Sequence, residues 1–195
     1  MSDSSANFSA KSAPINRENA GPFDSSEISG ARPYIDLGSL KILPRQDLQL
    51  RLEVEEQSKR VVAVTLELRG STLQVQAFAA PRTGGLWHEI RIQLAEQIKS
   101  QGGTVQNAIG SFGSELVAQV IVTTPEGQKP NEVRFIGVDG PRWFLRGVIS
   151  GKALSDDDAM REISDLFRSI VVVRGQIPLP PRELLPLHVP GAPGA

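Results

Sequence analysis

Residues 131–150 read NEVRFIGVDGPRWFLRGVIS. Two apolar runs flank Val138-Asp139-Gly140-Pro141, and the second carries Trp143, Phe144 and Leu145. Asp-Gly tolerates the positive φ angles of a two-residue turn, so the stretch predicts a tight antiparallel hairpin. Trp143 and Phe144 fall on opposite faces of the second strand, yet both are apolar. The strand is therefore expected to be covered on both sides, by a helix or by a partner. Alternation leaves open which face Trp143 takes.

Working upstream, Leu116 to Thr123 predicts a strand, turned by Pro125-Glu126-Gly127, with Gly110 to Gly113 a flexible loop before it. Trp87, Ile90, Leu94 and Ile98 recur at steps of three and four, which predicts an amphipathic helix ended by Gln101-Gly102-Gly103. Leu48, Leu50, Leu52 and Val54 alternate with polar residues; Val61 to Leu68 follows; Leu73, Val75 and Ala77 alternate again. Three such runs with short polar connections predict an antiparallel meander. Tyr34 to Leu37 and Leu40 to Leu43 read as short strand pieces. Downstream, Ser155 is placed to cap a second helix, with Asp156, Asp157 and Asp158 in its first turn, where the helix dipole favours anions. Met160, Ile163, Leu166, Phe167 and Ile170 make its buried stripe, and Ile170 to Val173 reads as a last buried strand.

The sum is an α+β domain: an antiparallel sheet of about seven or eight strands with two amphipathic helices packed on it. Residues 1–32 are polar and lack hydrophobic period, which predicts a disordered N-terminal arm, with Phe23 its one candidate docking residue. The domain is expected over 33–175. Residues 176–195 hold six of the 14 prolines and predict an extended tail.

Composition excludes several classes of function. With no cysteine there is no disulfide, thiolate nucleophile or cysteine-ligated zinc. No run approaches the ~20 apolar residues of a membrane span, and no signal-peptide core precedes the domain, so a cytoplasmic protein is expected. Net charge is −1 and is not concentrated, whereas nucleic-acid binders carry a basic excess on the folded part. Nucleic acid is not an expected partner.

Chemistry is sparse. His88 and His188 have no Cys, His or Asp at metal or nucleophile spacing. The three consecutive aspartates point about 100° apart on a helix and cannot converge on one ion. Neither a phosphate-binding GxxxxGK[ST] loop nor a GxSxG elbow occurs. No cofactor, metal or catalytic residue is expected. What remains is a candidate partner-binding set: Arg82, Arg142, Trp143 and Arg146, the composition of interface hot spots, with Pro178 and Pro181 in a polyproline-like PLPPR stretch. Leu179, Leu184, Leu185 and Leu187 equally allow that stretch to be pinned along the domain's own surface.

Several stretches together resemble one family. These are Gly21-Pro22-Phe23-Asp24, Leu73 to Arg82, Gln101 to Val105, Val138 to Gly147 and Val171 to Gly175. They are similar to an actinobacterial family known as domain of unknown function 3710, over roughly residues 20–190. The resemblance implies a cytoplasmic actinobacterial protein and carries no activity, catalytic residue or cofactor with it. The residues themselves lead to two expectations of different class. The first is a non-catalytic protein-interaction domain, scaffold- or adaptor-like, whose partner is another protein. The alternative is a small-ligand or nucleotide-binding protein, including an enzyme working through Arg and carboxylate groups; an apolar pocket with converging arginines would favour it.

Overall fold

The computed structural model describes residues 9–191. Residues 1–8 of the expected arm and 192–195 of the expected tail lie outside the described residues.

The three alternating runs form the meander β4 (Leu48–Val54), β5 (Val61–Leu68) and β6 (Ser71–Ala79). After β6 the chain leaves the sheet, runs through α2 (Trp87–Ser100) and re-enters at the far edge as β7 (Thr104–Gly110). It then returns strand by strand through β8 (Gly113–Thr124), β9 (Gly127–Asp139) and β10 (Trp143–Gly151). β10 lands beside β6, so the seven strands lie in the order β4-β5-β6-β10-β9-β8-β7, all antiparallel. Gly110 to Gly113 turns as expected, at Ser111-Phe112, but the residues before it, TVQNAIG, form strand β7, which the sequence reading left unassigned.

One face of the sheet carries Leu66, Val75, Trp143 and Leu145. It packs against α3 (Asp157–Arg168) and a small second sheet of β1 (Phe23–Asp24), β11 (Val171–Val172), β3 (Leu40–Ile42) and β2 (Ile35–Asp36). The other face carries Leu116, Phe135 and Phe144 beneath α2. Phe144 stacks between Phe78 at 5.9 Å and Trp87 at 5.7 Å. Gly137 has no side chain because the Trp87 ring occupies that space; an added Cβ would sit 2.4 Å from it. α2 reaches only part of this face, and the strands it leaves bare are polar there: Arg51 on β4 bridges Glu67 on β5 at 3.1 Å.

The central hairpin forms between β9 and β10, but its turn is not the expected two-residue Asp-Gly type. Phe144 pairs with Asp139, so Gly140–Trp143 make the turn, closed by the Gly140 amide donating to the Trp143 carbonyl at 2.8 Å. Pro141 fixes a negative φ there, and the Asp139 carboxylate is committed elsewhere, as described below.

Residues 9–32 also depart from expectation, because they are built onto the domain rather than disordered. One helical turn, α1 (Arg17–Ala20), ends at Gly21, whose φ of +83° and closeness to the Arg168 carbonyl exclude a side chain. β1 then pairs in parallel with β11, and the Phe23 amide donates to the Ile170 carbonyl at 2.9 Å. Polarity misleads here because the polar groups are paired: buried Arg17 bonds Glu27 at 2.5 Å and 2.8 Å and the Pro22 carbonyl at 3.0 Å.

The second helix starts one residue later than Ser155 suggests. A 3-10 turn at Lys152–Leu154 bends the Ser155 hydroxyl back to the Lys152 carbonyl, and Asp156 takes the cap, accepting from the Ala159 amide at 3.0 Å. The capping bonds hold the Asp156 carboxyl below its ordinary value, with Lys152 adding to the effect. Asp156→Ala is expected to lower the melting temperature by about 2–4 °C, and Ser155→Ala to leave it nearly unchanged, by thermal denaturation.

Candidate functional site

The residues grouped from sequence do not meet. Trp143 is fully buried on the α3 side of the sheet, its indole N–H donating to Asp24 Oδ1 at 2.9 Å and the Arg17 guanidinium lying 5.6 Å from its ring centroid. It is part of the core, which corrects its place in an exposed patch. Arg146 lies on the opposite face, its guanidinium 5.5 Å from the Phe78 ring and bonded to Gln76. Burial lowers the Arg146 pKa from its ordinary value. Arg142 is half-buried in the turn, and Arg82, Pro178 and Pro181 are exposed.

The Asp139 carboxylate is a structural hub. It accepts from the amides of Ser12 at 2.9 Å, Leu86 at 2.8 Å and Trp87 at 3.4 Å, joining the N-terminal segment, the start of α2 and the central hairpin. Burial pushes its carboxyl up, while the three amides and Lys11 pull it back. Lys11 donates to the carbonyls of Gly140 and Pro141, so the segment closes over the turn.

His88, with Glu89 and Ile92, borders a hollow of about 490 Å³ at the start of α2. Glu89 is drawn outward to Arg182 at 2.5 Å, and His88 Nδ1 lies 3.4 Å from Arg91. Ser9 lines the same hollow, and among the described residues no group of three or more His, Asp or Glu could hold a metal ion. Glu115 is buried 3.4 Å from Arg134. Burial raises its carboxyl above the ordinary value, and Arg134 opposes this in part. A raised folded-state value makes its contribution greatest below the ordinary glutamate range and loses it as pH rises through the folded value. Relative to Glu115→Gln, the wild type is therefore expected to lose stability as pH rises above the ordinary glutamate range, measured as the difference in urea midpoints.

Polar atoms without partners gather at one further place. The Gly38-Ser39 turn between β2 and β3, the exit of β11 at Val173–Gly175 and the segment Ile177–His188 enclose a cavity of about 300 Å³. β11 pairs antiparallel with β3, and the Val173 amide donates to the Ser39 carbonyl at 2.8 Å, which sets Arg174 beside Ser39. The C-terminal segment supplies the other wall. Ser39 donates its amide to the Pro186 carbonyl at 3.3 Å, His188 donates to Leu37 at 3.0 Å, and Leu185 is buried. The polyproline-like stretch is anchored at its end by the Arg182 amide donating to the Ala79 carbonyl at 2.8 Å, with Pro178 and Pro181 exposed.

The cavity is lined by Val173, Ile177, Leu179 and Leu187 together with the polar residues Ser39, Arg174 and His188. Ser39 is 5% exposed and its Oγ has no hydrogen-bond partner; Arg174 Nε is likewise buried and unpaired. Arg174 Nη1 donates to the Ile177 carbonyl at 3.0 Å, which fixes the guanidinium plane. Burial, and secondarily the charge of Arg142, lower its pKa from the ordinary value. Sequence reasoning did not single out Ser39 or Arg174 as site residues; it gave only the strand pieces beside them, Leu40 to Leu43 and Ile170 to Val173.

Among the described residues no helix is long and apolar enough to cross a membrane. No curated protein and no solved structure matches the chain. A family model described as a protein of unknown function, DUF3710, matches residues 21–195. That span takes in both sheets, the cavity and β1 of the N-terminal segment, and the chain belongs to this family.

Proposed function

We propose that the domain binds a small ligand, without turning it over, in the cavity between the Gly38-Ser39 turn, the β11 exit and the C-terminal segment. The observation that carries this reading is a cavity of about 300 Å³ whose lining is mainly aliphatic, from Val173, Ile177, Leu179 and Leu187, with Ser39, Arg174 and His188 as its polar residues. The lining also supports binding over catalysis. A serine nucleophile needs an adjacent base, and Ser39 Oγ has no partner, while His188 Nδ1 is turned to the Val189 carbonyl at 3.0 Å. A cytoplasmic location and an actinobacterial origin belong to the same reading, supported by the family resemblance and the cysteine-free sequence.

A ligand that binds only the native state must raise its stability. A thermal-shift screen of metabolites and nucleotides is expected to return compounds that raise the melting temperature of wild type and fail to do so for Leu179→Trp, which fills the cavity. No shift across a broad library contradicts the reading.

A second reading keeps a protein partner, and the projecting β8–β9 ribbon favours it. β7 begins opposite Gln119, so residues 120–124 of β8 have no strand on that side. Pro130 blunts the β9 side, leaving β8, with exposed Ile121, as the open edge for an extended strand of another protein. Ile121→Lys is expected to lose such a partner in co-purification; retention of every partner counts against it.

A further inference from the structure

We infer that the open stretch of β8, residues 120–124, pairs antiparallel with the same stretch of a second copy of this chain, around a two-fold axis at Val122. That this edge takes a strand rests on the second reading; that the strand is a second copy goes beyond it.

The turns at either end of β8 fix where its backbone groups point. Gly110 pairs with Gly113 and Thr124 with Gly127 across two-residue turns, and the pair flanking such a turn exchanges hydrogen bonds. Counting in twos, β8 turns the backbone groups of Gly113, Glu115, Val117 and Gln119 to β7, and those of Val120, Val122 and Thr124 to β9. The Gln119 carbonyl agrees, since it lies against Gly103, where an added Cβ would sit 2.4 Å from it. Ile121 and Thr123 therefore aim their amides and carbonyls at the lane that β7 leaves open, where no strand among the described residues pairs with them.

Two donors and two acceptors spaced in this way are self-complementary in an antiparallel pair. A copy turned about Val122 sets Ile121 against Thr123 in both directions, which makes four hydrogen bonds. The side chains match too. Residues 120–124 read VIVTT, all β-branched and none charged, so every cross-strand pair joins two β-branched residues and no like charges meet. A charge or a proline commonly blunts such an edge, and this one carries neither. The lane is five residues long and the copy fills it with five, so that the copy's Pro125-Glu126 turn arrives where β7 begins. α2 ends at that place in Lys99-Ser100, and Lys99 makes no ion pair among the described residues, so the end that receives the copy's Glu126 offers a cation. A contact confined to five residues a side falls below the roughly 1,200 Å² of a stable interface, so the dimer is weak and reversible, and the two-fold closes it at two copies.

The test is sedimentation of the full chain over a range of concentrations, joined to cross-linking, which the absence of cysteine makes unambiguous. Wild type is expected to pass reversibly from monomer to dimer as concentration rises. Thr123→Pro removes an amide aimed at the lane and none that β9 uses, so it should weaken the dimer at least about fivefold with little change in melting temperature. Ile121→Lys leaves the backbone alone and should show the same loss if the proline variant fails to fold. The register has its own readout. Val122→Cys puts two thiols on a directly opposed pair, about 4.5 Å apart at Cα, and mild oxidation should give a covalent dimer. Val120→Cys lies on the same face but about 14 Å from its copy, and should not cross-link. Wild type that stays monomeric at every concentration overturns the inference, and co-purification with Ile121→Lys then decides the second reading by itself. A dimer unaffected by both edge variants overturns the use of this edge, and Val120→Cys cross-linking as readily as Val122→Cys overturns the register.

Discussion

Trp143→Ala is expected to lose about 3–5 kcal/mol of folding stability, read from urea denaturation. That is a large share of the about 5–15 kcal/mol available to a typical domain. The ring is wholly buried between the sheet and the N-terminal segment, and its removal opens a cavity under Arg17 and strips Asp24 of its indole donor. Asp24 is held below its ordinary value: burial raises it, but the bonds from Ser26 and Trp143 and the charge of Arg17 outweigh that. Trp143→Phe separates the two contributions, since it keeps an aromatic ring in the core and deletes the hydrogen bond. Its loss should be clearly smaller than that of Trp143→Ala. A tryptophan held out for a partner would behave differently, with binding lost and the unfolding midpoint unmoved.

Asp139→Ala should be comparably damaging, at about 3–5 kcal/mol, although the side chain is polar and stands just before a turn. Its two oxygens serve three amides from two distant parts of the chain, which the variant leaves without their acceptor. Two consequences can be measured separately. Urea denaturation should show the lost stability, and limited proteolysis should show cleavage within residues 9–28 well before the domain core is cut. Asp139→Asn keeps one acceptor oxygen and is expected to fall between wild type and Asp139→Ala. Equal protease resistance of Asp139→Ala and wild type would mean that the carboxylate does not hold the segment down.

The sequence made the sheet legible where one face of a strand is buried and the other wet. Residues 71–79 alternate strictly between buried and half-buried, and their period of two can be read directly. Thr104–Gly110 escaped because it is an edge strand with most side chains outside, so no apolar alternation exists to find. The N-terminal segment escaped for a different reason. Arg17, Asp24 and Glu27 look like solvated residues until Trp143, far along the chain, supplies the surface they close over.

Parity already spoke against the Arg/Trp patch. Trp143 and Arg146 are three residues apart on one strand and therefore face opposite ways. Ser39 and Arg174 offered no local signal at all: each is a single polar residue beside a short strand, and only the antiparallel pairing of β3 with β11 makes them neighbours.

The most direct test of a ligand site in this fold is the map of backbone amide shifts in a 1H–15N spectrum as a compound returned by the thermal-shift screen is added. The account predicts that the largest changes fall on Gly38, Ser39, Arg174, Gly175 and Leu187, on three stretches of chain that meet only at the cavity. Changes centred instead on His88, Glu89 and Ile92 at the start of α2, or none at any concentration tolerated, would contradict it.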